Sequence, residues 1–183
     1  MNSIQYACSL ATIPGNVLEF GVCAGNSMRD IVNVITDRKI FGFDSFEGLP
    51  EDWEGTVCKA GFFTNGGNIP DIQSVKFYKG WFDSTVPQYV NENKDDISVL
   101  HIDCDLYSST RTVMYALNEF IKAGTIICFD EFIYRHADGS AHTDHEQKCF
   151  YEWVTDFNRE FEFIEFNDET PCGFERRIVK ILK

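Results

Sequence analysis

The chain has 183 residues, 44% of them hydrophobic, and a formal net charge of −13 at pH 7. That length suits a single domain with a sizeable core, and the excess of acids, with no basic stripe to offset it, argues against nucleic acid as a partner. No apolar run approaches the roughly 18–20 residues that span a bilayer, and the first residues lack the basic-then-apolar order of a secretory leader. The expectation is one cytoplasmic domain over 1–183, opened by a short N-terminal segment over 1–15 and making no membrane contact. Seven cysteines are scattered without a C-x-x-C pair, which reads as reduced thiols used as small apolar residues rather than a zinc site or a disulfide framework.

In chain order, Val17-Leu18-Glu19-Phe20 is a short strand stopped by Gly21, and the segment from Asn26 places Met28, Ile31, Val32 and Ile35 at helical spacing, with Asn26 or Ser27 able to cap it. Residues 39–45 (KIFGFDS) form a second strand ending in Asp44, 74–80 (SVKFYKG) a third and 96–103 (DISVLHID) a fourth. Val113, Leu117, Phe120 and Ile121 mark one face of a helix over 109–124, closed by Gly124. The apolar run 125–131 (TIICFDE) is a fifth strand, aromatics at 150, 153, 157 and 161 give a helix over 145–161, and FEFIEF and FERRIVKIL alternate as a closing pair of strands.

Strands alternating with helices predict an α/β fold: a mostly parallel sheet with helices on both faces. The last two strands are separated by too few residues for a crossover helix, so they pair antiparallel. Ligands of such sheets bind beyond the carboxyl ends of the strands. Gly21, Asp44, Asp103, Asp130 and Glu131 all fall at such ends. The run EFGVCAGNS is a strand, a glycine turn and a helix start, where backbone can approach a ligand and free N–H groups meet an anion. It lacks the third glycine of the dinucleotide fingerprint. Asp44, at the end of the next strand, stands where an acid takes ribose hydroxyls. Together they predict a ribose-containing cofactor.

The segments EFGVCAGNS, GFDSFEGLPE, GWFDSTVP, HIDCDLYSST and FDEF resemble, in order and spacing, the macrocin O-methyltransferase (TylF/MycF-like) family of class I S-adenosylmethionine-dependent methyltransferases, over roughly residues 16–160. The resemblance implies a Rossmann-like fold with a seven-stranded, mostly parallel sheet and an antiparallel C-terminal strand. It implies that Gly21, Ala24, Gly25 and Ser27 cradle the methionine part of the cofactor with Glu19 behind them. Asp44 would bind the ribose beside Ser45 and Phe46, and Trp81 and Phe82 would lie near the adenine. Relatives methylate a sugar hydroxyl with magnesium held by three carboxylates; the matching positions are Asp103, which also borders the cofactor, Asp130 and Glu131. The third departs from the family, where aspartate is usual.

Acids at the ends of two neighbouring strands suit a hard cation, which would orient a hydroxyl and stabilise the developing alkoxide. Asp105 either supports Asp103 or caps the following helix. For a base, His136, His142 and His145 flank the loop after the fifth strand, whereas His101, inside a strand, reads as structural. The expected partner is a small hydroxylated acceptor such as a sugar or glycosylated metabolite. Only about fifteen residues precede the first strand, so a cover for the acceptor would come from a second copy of the chain, or the pocket is open. Two rivals remain at this point: a nicotinamide-dependent oxidoreductase on a similar fold, and a non-catalytic cofactor-binding module.

Overall fold

A computed structural model describes residues 1–135, 140–166 and 173–183. Its elements are α1 (Ser3–Ser9), β1 (Asn16–Phe20), α2 (Asn26–Val34), β2 (Ile40–Asp44), β3 (Val75–Lys79), α3 (Phe82–Glu92), β4 (Ile97–Ile102), α4 (Tyr107–Ala116), β5 (Ile121–Arg135), β6 (Ala141–His142), α5 (Glu146–Asp156), β7 (Phe161–Ile164) and β8 (Phe174–Ile181). The sheet runs β3-β2-β1-β4-β5-β8-β7, with the short β6 added on β5. Strands β1 to β5 pair parallel, and β8 lies antiparallel between β5 and β7. The expected seven strands are therefore present, and β6 is an eighth. It forms because β5 continues to Arg135, well past Glu131, and pairs with 141–142.

Strand periodicity divides the core into two layers. Leu18, Phe20, Leu100, Ile102, Ile127 and Phe129 face α3, α4 and α5, packing with Val86, Tyr89, Val113, Met114, Phe150 and Trp153. Val17, Val99, Ile126 and Cys128 face the other way, onto Ile4 and Ala7 of α1 and Met28 and Ile31 of α2. Each fully buried Val, Leu, Ile, Phe or Met among them contributes roughly 1.5–3 kcal/mol of transfer free energy.

The N-terminal segment folds as α1. Asn2 and Gln5 form a capping box, and the two side chains donate to Asp30 of α2 at 2.7 and 2.9 Å. Sequence periodicity also assigned no element to 82–92. Phe82, Val86, Tyr89 and Val90 do fall at helical spacing, but Pro87 interrupts the pattern from inside the helix. Among the described residues no helix is long and apolar enough to cross a membrane, and the six described cysteines are free thiols.

Candidate active site

Backbone geometry at the end of β1 is set by one close approach. Gly21 has φ +94°, and a Cβ there would sit 1.6 Å from the carbonyl oxygen of Asp103. Only glycine lets the β1 and β4 ends lie this close. The chain then turns through Cys23, itself left-handed at φ 48°, into α2. The helix N-cap is Gly25 with no side-chain cap bond, so neither Asn26 nor Ser27 takes the capping role the sequence suggested. The first N–H groups of α2 are left for a ligand.

Asp44 ends β2 opposite this turn. One carboxylate oxygen accepts the Cys23 N–H at 2.7 Å and the other the Phe46 N–H at 2.6 Å. The acid is thereby fixed in place, with lone pairs to spare for hydroxyls. The loop from Ser45 to Ser74 returns over the same edge. Its tip is tied to the glycine turn by Asn65 Nδ2, 3.4 Å from the Cys23 carbonyl, and by Cys23 Sγ, 3.4 Å from the Phe63 carbonyl.

These pieces wall a cavity of about 730 Å³. Of the residues expected at the cofactor, Gly21, Ala24, Ser27, Asp44, Ser45, Trp81, Phe82 and Asp103 line it. Trp81 stands at the wall with 42% of its surface exposed. Three others stand behind the lining. Glu19 is wholly buried under the turn. Phe46 is packed into the core and contributes its N–H to Asp44. Gly25 caps α2 against Ile72. Sequence reasoning did not anticipate Leu49, Pro50 and Phe63 from the long loop, nor Ser108, Ser109 and Thr112 from α4, which also line the cavity. Loop residues carry no periodic signal, and α4 presents them only because β4 delivers its N-terminus to the same rim.

The acids at the β4 and β5 ends converge. Carboxylate oxygens of Asp103, Asp130 and Glu131 lie within 4.8 Å of one another. Asp105, buried with φ 63°, borders the same space. Glu146, the first residue of α5, completes the group: it is fully buried, and one of its oxygens accepts the Glu131 N–H at 3.2 Å. No pattern in the sequence marks Glu146, since one acid at a helix start ordinarily only complements the dipole.

Burial, then the charge on Asp130, pushes the Asp103 carboxyl well above its usual range; burial does the same to Asp105, which reaches about 7. Burial and the neighbouring carboxylates likewise raise Glu131 and Glu146. Asp130 goes the other way. Its burial is outweighed by His101 and Arg176, which hold it low. Arg176 donates to both of its oxygens, at 2.5 and 3.1 Å.

His101 is buried in β4, with Nδ1 2.9 Å from Glu19 and Nε2 3.9 Å from Asp130. Burial opposes its charge, but these two acids prevail and lift it to about 10. It therefore serves as a fixed counter-charge beneath the site, in keeping with the structural reading.

The other histidines lie elsewhere. His145 accepts the Tyr107 N–H at Nδ1, and its Nε2 is 3.3 Å from the Glu54 carbonyl oxygen. Burial lowers its pKa, so it is a neutral bridge between α4 and the long loop. His142 stacks edge-on to it at 4.8 Å and packs against Gly55. Neither is among the described residues lining the cavity. His136 lies outside the described residues.

A glycine turn, an acid on the next strand and a cavity at the carboxyl rim define a Rossmann-like α/β fold with a ligand site beyond the strand ends. Comparison with solved structures agrees on the fold. Calicheamicin methyltransferase CalS11 superposes with a TM-score of 0.72 at 22% identity, covering 96% of this chain and 75% of that one.

The sequence profile of the macrocin-O-methyltransferase (TylF) family matches residues 69–149. Two curated relatives are similar. Demethyldecarbamoylnovobiocin O-methyltransferase of Streptomyces niveus is 27% identical over 144 residues, 66% of this chain and 54% of the relative. The 8-demethyl-8-(2,3-dimethoxy-alpha-L-rhamnosyl)-tetracenomycin-C 4'-O-methyltransferase of Streptomyces olivaceus is 27% identical over 161 residues, 72% and 59% respectively. The chain thus spans between half and three-fifths of the length of these relatives. The similarity to the TylF family thus lies within the stretch over which the motifs resemble it.

Proposed function

We propose that the protein is an S-adenosylmethionine-dependent O-methyltransferase acting on a hydroxyl of a small molecule, a sugar or glycosylated metabolite, with a divalent cation at the acidic centre. The observation that carries this reading is one cavity reaching from Gly21 and Asp44 to Asp103 and Glu131. Methyl donor, acceptor hydroxyl and cation would then share a chamber. The TylF likeness favours methyl transfer over hydride transfer, and the tetracenomycin relative's name, a 4'-O-methyltransferase of a rhamnosyl compound, supports a sugar acceptor.

The donor set suits magnesium or a similar hard cation, being all carboxylate oxygen. A buried Glu131 oxygen also has no hydrogen-bond partner, as expected of a ligand atom. Asp103, Asp130 and Glu131 would hold the ion, Asp130 using the lone pairs that Arg176 leaves. When bound, the ion supplies Lewis-acid stabilisation of a developing alkoxide, and the sulfonium supplies an electrophilic methyl group.

The chain's own residues do the rest. The turn from Gly21 to Ser27 holds the amino-acid portion of the cofactor, Asp44 accepts its ribose hydroxyls, and Trp81 and Phe82 flank the base. This fixes the methyl group relative to the acceptor and supplies the in-line approach by proximity. Asp105, on the cavity wall beside Asp103, is the carboxylate best placed to take the acceptor proton.

The test is a calorimetric titration of S-adenosylhomocysteine into the protein, with magnesium and again with chelator. Saturable binding is expected. Asp103→Asn should keep that binding while losing methyl transfer to hydroxylated sugar conjugates; folded protein that binds no S-adenosylhomocysteine in either condition would remove the reading.

A further inference from the structure

The acidic centre contains one carboxylate to which neither the family resemblance nor the proposed function gives a role. Glu146 is fully buried at the start of α5, and its two oxygens differ. Oε2 accepts the main-chain N–H of Glu131, while Oε1 is buried without a hydrogen-bond partner. A buried, half-satisfied carboxylate facing other carboxylates is unfavourable for folding alone. The His145 N-cap gives no side-chain cap bond to α5, so Glu146 is not there to complete a cap. Its one described hydrogen bond goes instead to the residue carrying the third carboxylate.

Strand β5 has a register irregularity between Phe129 and Ile133 in its pairing with β8. Glu131 falls in that gap. Its N–H has left the ladder and is held by Glu146. The position of Glu131, and so the reach of its long side chain toward Asp103, depends on a single side-chain acceptor.

We propose that Glu146 is a positioning residue of the cation centre: it fixes the Glu131 backbone where β5 departs from the sheet and so sets the third carboxylate in place. Asp103, Asp130 and Glu131 are the oxygens that approach within 4.8 Å of one another, and Glu146 acts on them through Glu131. The inference rests on the cation centre of the proposed function. It extends it to a residue outside the triad.

The probe is Mn2+ alone, followed by calorimetry on the full chain without acceptor, with S-adenosylhomocysteine affinity measured on the same sample. Glu146→Ala removes the acceptor and should weaken Mn2+ binding roughly 10–100-fold, the range seen when a partner orienting a metal ligand is lost. Glu146→Gln keeps an oxygen for the Glu131 N–H and should stay within about threefold of wild type on the same reasoning. S-adenosylhomocysteine affinity should be unchanged in both. If the alanine variant does not fold, Glu146→Leu, closer in volume, takes its place.

Unchanged Mn2+ affinity in the folded alanine or leucine variant overturns the proposal. Equal losses in the glutamine and alanine variants overturn it too, because they would make the charge of Glu146, not its hold on Glu131, the operative feature. Wild-type protein that binds S-adenosylhomocysteine but no Mn2+ removes the cation centre and Glu146's role with it, leaving the cofactor reading standing.

Discussion

Gly21 and Asp105 illustrate how single backbone positions shape the rim. At Gly21 the obstacle to a side chain is the Asp103 carbonyl, a main-chain atom that cannot swing away. Gly21→Ala forces either the turn or the β4 end to move and places alanine at φ +94°. We expect a loss of about 3 kcal/mol or more in urea unfolding, with S-adenosylhomocysteine binding lost in whatever folds. Asp105 is also left-handed, and it is buried at the cavity. Its carboxyl, raised to about 7 by burial and the neighbouring Asp130 and Asp44 charges, is matched to accepting a proton near neutrality. Asp105→Asn should lower kcat by roughly 10²–10⁴ while leaving cofactor affinity in place. A loss under tenfold would return the search to other groups. The rim acids were legible in the sequence because each interrupts an apolar run. Glu146 was not, because its meaning comes from β5 departing from the ladder at Glu131.

At the scale of elements, β3 and α3 are joined by one exposed carboxylate. Glu92 accepts from Lys76 Nζ at 2.7 Å, from Tyr78 Oη at 2.6 Å and from Gln88 Nε2 at 3.0 Å. The Lys76, Tyr78 and Gln88 hydrogen bonds lower its pKa to about 2. A carboxylate depressed on folding binds fewer protons in the native state than in the unfolded one, so stability rises with pH between the two values. Glu92 therefore stabilises the fold fully above the unfolded value of about 4.3, and the contribution disappears as pH falls toward 2. Melting curves of wild type and Glu92→Gln should differ most at pH 6–7 and converge near pH 2–3; a gap that stays constant with pH would assign the effect to packing. This junction also shows where the sequence was hard to read. Strand β3 was evident from its apolar alternation, but α3 was hidden by Pro87, and α1 is too short for periodicity to register. Beyond the GFDSFEGLPE motif at its start, the long 45–74 loop carries no periodic signal. What organises it is tertiary: Leu49 and Trp53 pack on Leu106, with Phe174 of β8 against them.

Across the whole molecule, a net charge of −13 and the acidic centre proposed to hold a cation should respond to added cations in two different ways. Screening of surface repulsion is nonspecific, follows ionic strength and is shared by every salt. Occupation of the centre depends on the ion and adds stability as RT ln(1 + [L]/Kd), about 2.7 kcal/mol at a hundredfold excess over Kd. For a chain of this size that shifts Tm by roughly 5–10 °C. Magnesium should therefore raise Tm above the value reached in sodium chloride of equal ionic strength, and chelator should reverse the excess. Asp103→Asn and Glu131→Gln should each abolish the excess while keeping the screening component, because neither alters the distant surface charges. Removing one of these clustered acids also relieves like-charge repulsion, so both variants should melt at or above wild type in chelator and below it in magnesium. That crossing separates a centre built for a cation from acids that merely face water. If magnesium and matched sodium give the same Tm in wild type, the acids hold no divalent ion in the free protein, and Arg176 with His101 is the only compensation the centre has among the described residues.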